Sequence, residues 1–293
     1  MNITITGASG FVGRRLIERL LTENHSLHLL GRTPRSGVPF STWDVLGESA
    51  PPVESLVSAD ALVHLAGEPV AQRWTPEAKR RIRASRVEGT RRLVEGLSAL
   101  VRRPAVLVCA SAIGIYGSRG DEILTESSPT GQGFLADVCR EWESAADLAQ
   151  PLGVRVVKLR IGMVLGREGG ALARMLPAFK AGLGGRLGSG KQWMSWIHLD
   201  DLVELIRYLI EHPEVRGVVN ATAPNPARNA QFTRALASVL HRPAFVPVPA
   251  FALKLVFGEM AQILLESQRV LSQAAGLRFR YPELAPALRQ LLA

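Results

Sequence analysis

Residues 1–13 read MNITITGASGFVG, and the reading of that stretch decides the fold. The β-branched run Ile3, Thr4, Ile5, Thr6 is a short strand by composition, and the amphipathic pattern from Phe11 to Leu21 is a helix. Between them Gly7, Gly10 and Gly13 recur at every third position. A glycine turn lets backbone approach a ligand closely, and the new helix presents free N–H groups and the positive end of its dipole. Strand, tight turn and helix in that order point to a dinucleotide pyrophosphate held by Gly7, Ala8, Ser9, Gly10, Phe11, Val12 and Gly13. A glycine turn with no ligand is the alternative.

The next strand, Ser26 to Leu30, ends in Gly31-Arg32-Thr33. An acid about twenty residues past the glycine turn normally takes the adenosine ribose hydroxyls of NAD. None stands here: Glu23 belongs to the end of the preceding helix and the next acid is Asp44, whereas Arg32 occupies the place where a 2′-phosphate needs a cation. The expected cofactor is therefore NADP(H) rather than NAD(H), with a solvated loop arginine as the alternative for Arg32. Asp44, at the end of a third strand from Phe40 to Trp43, is placed to touch adenine or to cap the next segment of chain.

A proline-containing loop (Gly47 to Pro52) and a short helix lead to a buried fourth strand, Asp60 to Gly67. Its small carboxyl-end residues Leu65, Ala66 and Gly67 suit a backbone that passes close to a cofactor. His64 reads as a satisfied core histidine. Helical pattern runs from Thr75 to Leu100, with Pro76 in its first turn and arginines 80, 81, 83, 86, 91 and 92 mostly on a solvated face. Strand at Ala105 to Ala110, helix at Gln132 to Gln150, strand at Val154 to Leu159 and helix at Ala171 to Ala181 continue the alternation. That alternation predicts an α/β fold with a doubly wound parallel sheet.

The run GLGGRLGSGK at 182–191 is a near miss to a mononucleotide P-loop. Gln192 stands where Ser or Thr must hold magnesium, and strand-like sequence comes next where a helix should begin, so a glycine-rich hairpin leading into Trp193 to His198 is expected. Asp200 or Asp201 can cap the helix running to Ile210, with His198 anchoring the turn before it, and Gly217 to Asn220 reads as the last strand of the sheet. Residues 223–293 change character: PNPARN, a helix, PAFVPVPAF, an apolar helix from Phe251 to Leu271, and a last helix from Pro282 to Leu292. The division expected is a dinucleotide-binding domain over 1–222, with 165–192 contributing to the substrate lobe, and a small helical lid over 223–293. The apolar patterns at 75–100 and 251–271 serve a homodimer as readily as the core.

Composition narrows the function classes. The chain has 293 residues, 47% hydrophobic and 21% charged, and no apolar run approaches the roughly eighteen residues of a membrane span. A strand that begins at Asn2 leaves no room for a secretory leader, so the cytoplasm is the expected compartment. Cys109 and Cys139 lack metal-ligand spacing and read as reduced core thiols; no metal is expected. The net charge of +9 does not imply nucleic acid, because the arginines are scattered along amphipathic helices with no accompanying binding motif.

The turn TGASGFVG, the strand ends LAG and SAIGIYG, and the later RIGMVLG and WIHLDDL together resemble the extended short-chain dehydrogenase/reductase superfamily. GRLGSGKQWMSWIHLDDL, NATAPNP and PVPAFALKLVFGEMAQILLESQRVL resemble, more narrowly, its atypical epimerase-family branch, NAD-dependent epimerase/dehydratase-like with a C-terminal domain of uncharacterised role. That branch includes bacterial and chloroplast proteins discussed with cell division. The resemblance implies a Rossmann domain closed by a C-terminal lobe. It also implies that Ser111, Arg160 and the turn Gly162 to Val164 line the nicotinamide pocket.

Conventional members use a Tyr-x-x-x-Lys pair on the helix after the fifth strand, where the lysine lowers the tyrosine pKa for acid–base work. Here the only tyrosines, Tyr116, Tyr208 and Tyr281, are followed four residues later by Gly120, His212 and Ala285. The helix in question, FLADVCREWESAAD, has no tyrosine at all. Ser111 is one residue out of the register of the auxiliary serine, and is either a donor to substrate or a structural hydroxyl. Tyr116 and Ser111 are the catalytic candidates; Glu126, Glu141 and Glu143 read as surface or capping carboxylates. The function expected is an NADP(H)-dependent oxidoreductase acting on a small carbonyl or alcohol. The alternative is a protein that binds NADP(H) without redox chemistry and regulates, in cell division for instance.

Overall fold

A computed structural model describes residues 1–35, 37–273, 276 and 278–293. Seven parallel strands form the central sheet: β1 (Asn2–Thr6), β2 (Ser26–Gly31), β3 (Phe40–Thr42), β4 (Ala61–His64), β5 (Val106–Ala112), β6 (Arg155–Ile161) and β7 (Gly217–Ala221). Their order, β7-β6-β5-β4-β1-β2-β3, reverses between β1 and β4. There Ile3 pairs with Ala61 and Ile5 with Val63, so the glycine turn after β1 lies beside Leu65 after β4. In open α/β sheets ligands bind at such a reversal, outside the carboxyl ends of the strands.

Alternate side chains of each strand enter two cores, as strand periodicity requires. Ile3, Ile5, Leu29, Val63, Val108 and Leu159 pack on one face under α1 (Phe11–Leu21) and α5 (Leu199–Glu211). Leu30, Leu62, Leu107 and Val156 pack on the other under α2 (Pro76–Ser98) and α3 (Phe134–Asp147). Pro76 does open its helix, with Thr75 as N-cap accepting the Ala78 N–H. A third core joins α4 (Gly170–Lys180), α6 (Asn229–Leu240) and α9 (Leu284–Leu292) around Trp196, Phe232 and Leu288.

Three details differ from the sequence reading. The helix starting at Leu199 is capped by His198, whose Nδ1 accepts the Asp200 N–H at 3.0 Å, while Asp201 is buried and accepts the backbone N–H groups of Arg280 and Tyr281. The segment 182–192 forms no hairpin: Trp193–Met194 pairs with Ala227–Arg228, and Trp196–His198 pairs in parallel with Met163–Leu165. The apolar pattern from Phe251 to Leu271 is not one helix. It breaks at Gly258 (φ +61°) into α7 (Ala250–Phe257) and α8 (Ala261–Leu265), after which Arg269–Val270 pairs with Ile123–Leu124. No helix among the described residues is long and apolar enough to cross a membrane.

Candidate functional site

The main cleft lies at the sheet's reversal, walled by Gly7, Ala8, Ser9 and Gly10, by Gly31, Arg32, Trp43 and Asp44, and by Leu65, Ala66, Gly67 and Glu68. Gly7 sits at φ +72°, and a Cβ there would stand 2.6 Å from the carbonyl carbon of Leu65. A Cβ on Gly13 would stand 2.3 Å from the Gly7 oxygen. Both positions must be glycine for the turn to fold down onto β4. Gly10 is the N-cap of α1, with no side-chain cap and no acid in the first turn, which leaves the helix end open for an anion. Phe11, Val12 and Gly13 belong to that helix rather than to the cleft wall, and the Phe11 ring faces the segment Gly166 to Gly170.

Arg32 is exposed in the cleft just past β2 and has no hydrogen-bond or ion-pair partner among the described residues. No acid ends β2. Asp44 is exposed beside it and caps the turn after β3, its Oδ1 accepting the Leu46 N–H at 3.0 Å. A helix N-terminus without a side-chain cap, an unpaired guanidinium and glycine walls fit a phosphorylated dinucleotide. His64 is a satisfied core residue: Nδ1 lies 2.6 Å from Thr6 Oγ1, Nε2 lies 3.1 Å from Thr90 Oγ1, and complete burial pushes its pKa down to about 3.

Ser111, Tyr116 and Arg160 come together, but inside the protein rather than on the cleft wall. Arg160 donates from Nε and Nη2 to both oxygens of Glu143, each at 2.8 Å, and Ser111 Oγ donates to Glu143 Oε1 at 2.7 Å. The Tyr116 hydroxyl donates to Asn220 Oδ1 and accepts from Arg160 Nη1, both at 2.8 Å. Ser111 is 3% exposed and Tyr116 not at all. Burial raises the Tyr116 pKa despite Arg160, taking it further from neutral acid–base work. For Arg160 burial works downward, yet the Glu143 hydrogen bonds and charge outweigh it and hold the pKa above normal.

Glu143 is therefore neither a surface nor a capping group. It is the buried acid of this network, three residues before Ala146 and four after Cys139, on the inward face of α3. Glu141, by contrast, is exposed and paired with Arg83. Glu126 accepts the backbone N–H of Asn220 at 2.9 Å. Gly162 packs against Ser195, where a Cβ would meet the Ser195 oxygen at 2.7 Å, and Val164 pairs with Ile197; neither lines the main cleft.

Two further residues escaped sequence reasoning. Glu266, just after α8, lines a small cleft with Trp74, Gly114, Gln132, Phe134 and Leu135. Its carboxylate has no partner among the described residues, and burial raises its pKa. Arg86 on α2 is the exception to the solvated arginine face, lying beneath Gly67 against the Trp142 ring. Both cysteines are buried free thiols. Glu23, His25 and Glu211 approach one another closely enough to share an ion, but Glu23 and Glu211 are already paired with Arg19 and Arg207.

The family model of the NAD dependent epimerase/dehydratase family matches residues 3–221, and a domain of unknown function, DUF1731, matches 248–291. The chain is 44% identical, over all its length and 87% of the relative's, to the chloroplastic homologue of epimerase family protein SDR39U1 from Arabidopsis thaliana. It is 38% identical to epimerase family protein YfhF of Bacillus subtilis, covering 100% of this chain and 98% of that one. The crystal structure of human epimerase family protein SDR39U1 with NADPH superposes with a TM-score of 0.90 at 35% identity, covering 99% of both chains. UDP-glucose 4-epimerase from Thermotoga maritima, at 16% identity and a TM-score of 0.77, shares the fold. With a Rossmann sheet, a glycine turn at its reversal and matches that span both ends, this chain belongs to the NAD dependent epimerase/dehydratase family.

Proposed function

We propose that this protein binds NADP(H) and acts as an oxidoreductase on a small carbonyl or alcohol. The observation that carries the cofactor assignment is Arg32: an exposed, unpaired guanidinium at the adenosine end of the cleft, with no acid at the end of β2. The human relative crystallised with NADPH supports it. In this reading the turn from Gly7 to Gly13 holds the pyrophosphate at the first turn of α1, Arg32 takes the 2′-phosphate, and Trp43 and Asp44 border the adenosine. When bound, the nicotinamide supplies or receives hydride. Proton transfer falls to water, because the Ser111 and Tyr116 hydroxyls are engaged in the buried network. The engagement of those two hydroxyls also favours a second reading, a protein that binds NADP(H) without turning it over and regulates through the bound state.

Arg32→Glu tests the cofactor assignment. Loss of one charge-assisted phosphate contact lowers the preference for NADPH over NADH about tenfold or more; an unchanged preference refutes the role of Arg32. The two functional readings separate in a screen of small aldehydes, ketones and quinones followed by NADPH absorbance. Accelerated oxidation with any of them supports the enzyme, and tight NADPH binding with none supports the regulator.

A further inference from the structure

Arg86 is a half-buried cation with no carboxylate paired to it. Its Nη1 donates to the backbone oxygens of Glu68 at 3.0 Å and Ile82 at 3.1 Å, and its guanidinium lies over the Trp142 ring at 5.2 Å. Nε and Nη2 have no protein acceptor among the described residues and are not sealed off from solvent. Glu68, the nearest acid in sequence after β4, is paired with Arg81 instead. Burial presses the Arg86 pKa down, as expected of a desolvated charge lacking a counter-ion.

Its place in the fold gives that free edge a direction. A Cβ on Gly67 would stand 3.2 Å from Arg86 Cζ and 3.3 Å from Nη2, so the guanidinium underlies a glycine of the cleft wall after β4. On its other side it meets α3 at Trp142, and its charge reaches Cys139, which burial nonetheless pushes up to about 11. Arg86 thus stands under the carboxyl end of β4 and beside the helix that covers β5. A dinucleotide whose adenosine lies over β2 and whose pyrophosphate lies at α1 extends its other half across that place.

We propose that Arg86 binds the half of the dinucleotide beyond the adenosine, its free guanidinium edge donating to the oxygens of the nicotinamide ribose and its phosphate. The assignment rests on the cofactor reading above and supplies a cation on α2 in a chain whose α3 carries no Tyr-x-x-x-Lys pair. It explains why a guanidinium is kept here without a carboxylate, and why residue 67 has no side chain to stand between it and the ligand.

The test measures affinities of the full-length protein for NADPH and for 2′,5′-ADP, which lacks the far half, by calorimetry or fluorescence. R86Q is expected to weaken NADPH at least tenfold while 2′,5′-ADP binds as in the wild type, and R86K to recover part of the loss. Unchanged NADPH affinity in R86Q overturns the proposal. So does an equal loss of both ligands, which would make Arg86 a support of the scaffold, or an R86K that binds no better than R86Q. A wild-type protein that binds neither ligand would instead overturn the cofactor reading, so the two failures are distinct.

Discussion

Replacing Glu143 by Gln should destabilise the protein severely. The Glu143 and Arg160 side chains are 9% and 6% exposed, and both guanidinium contacts to the carboxylate are 2.8 Å. Gln keeps the shape but removes the charge, so Arg160 stays buried beside Tyr116 with nothing to neutralise it. Breaking one side of a buried pair costs about 3–5 kcal/mol. At about 2–4 °C per kcal/mol for a chain of this size class, the melting temperature falls on the order of 10 °C. Ser111→Ala removes one hydrogen bond to a charged acceptor and should cost about 1.5–3 kcal/mol. The double variant Glu143→Met with Arg160→Met removes both charges and should recover most of the loss. Thermal and urea unfolding at pH 7.5 measure all three. An E143Q within about 1 kcal/mol of wild type, or a double variant less stable than E143Q, would refute the account of this network as a neutralised buried pair.

Two pH dependences arise from groups elsewhere. His64 is held neutral with a pKa near 3, below its ordinary 6.5, so its contribution is complete above about pH 6.5 and is lost as pH falls toward 3. Between pH 6.5 and 4.5 that amounts to roughly 2 kcal/mol; His64→Asn should flatten urea-unfolding stability over that window, and an equal slope in both proteins would contradict it. Glu266 has the opposite sign. Its pKa is raised by burial, so the ionised form is disfavoured in the folded state and stability falls as pH climbs through that pKa. Glu266→Gln should therefore gain on the wild type from pH 4 to pH 8 in thermal unfolding, and a gain that shrinks with pH sinks the assignment.

The sheet was legible because its signals are local. Ile3 to Thr6, the glycine turn and the helix from Phe11 to Leu21 each announce themselves within a few residues, and β1 and α1 fall where the pattern puts them. His198 as the anchor of its turn and His64 as a core group were also readable, one from its position before a helix and the other from its apolar strand. Glu143 was misread because its neighbour Glu141 is exposed and adjacent acids look alike. The helical period separates them, since 136, 139 and 146 are apolar and 143 shares their face. An acid on a buried face demands a buried base, and Arg160 in the apolar run of β6 was the one to look for. Arg86 and Glu266 carry no such signal, since what distinguishes them is the lack of an oppositely charged partner. The C-terminal pattern misled for a different reason: apolar letters continue through Gly258, and only the backbone there, at φ +61°, shows that the helix stops.

Phe11 has a wider reach than its place in α1 suggests. Its ring lies so close to the segment after β6 that a Cβ would come within 2.4 Å of it at Gly166, 2.5 Å at Gly169 and 3.2 Å at Gly170. The aromatic ring is thus seated on a glycine pavement far along the chain. Position 11 and positions 166, 169 and 170 form a single unit of inheritance. A lineage that keeps the ring must keep the glycines, and one that trims the ring to Ala or Ser is released to decorate the segment. Substitutions at these four places should travel together through descent, though they lie at opposite ends of the Rossmann half.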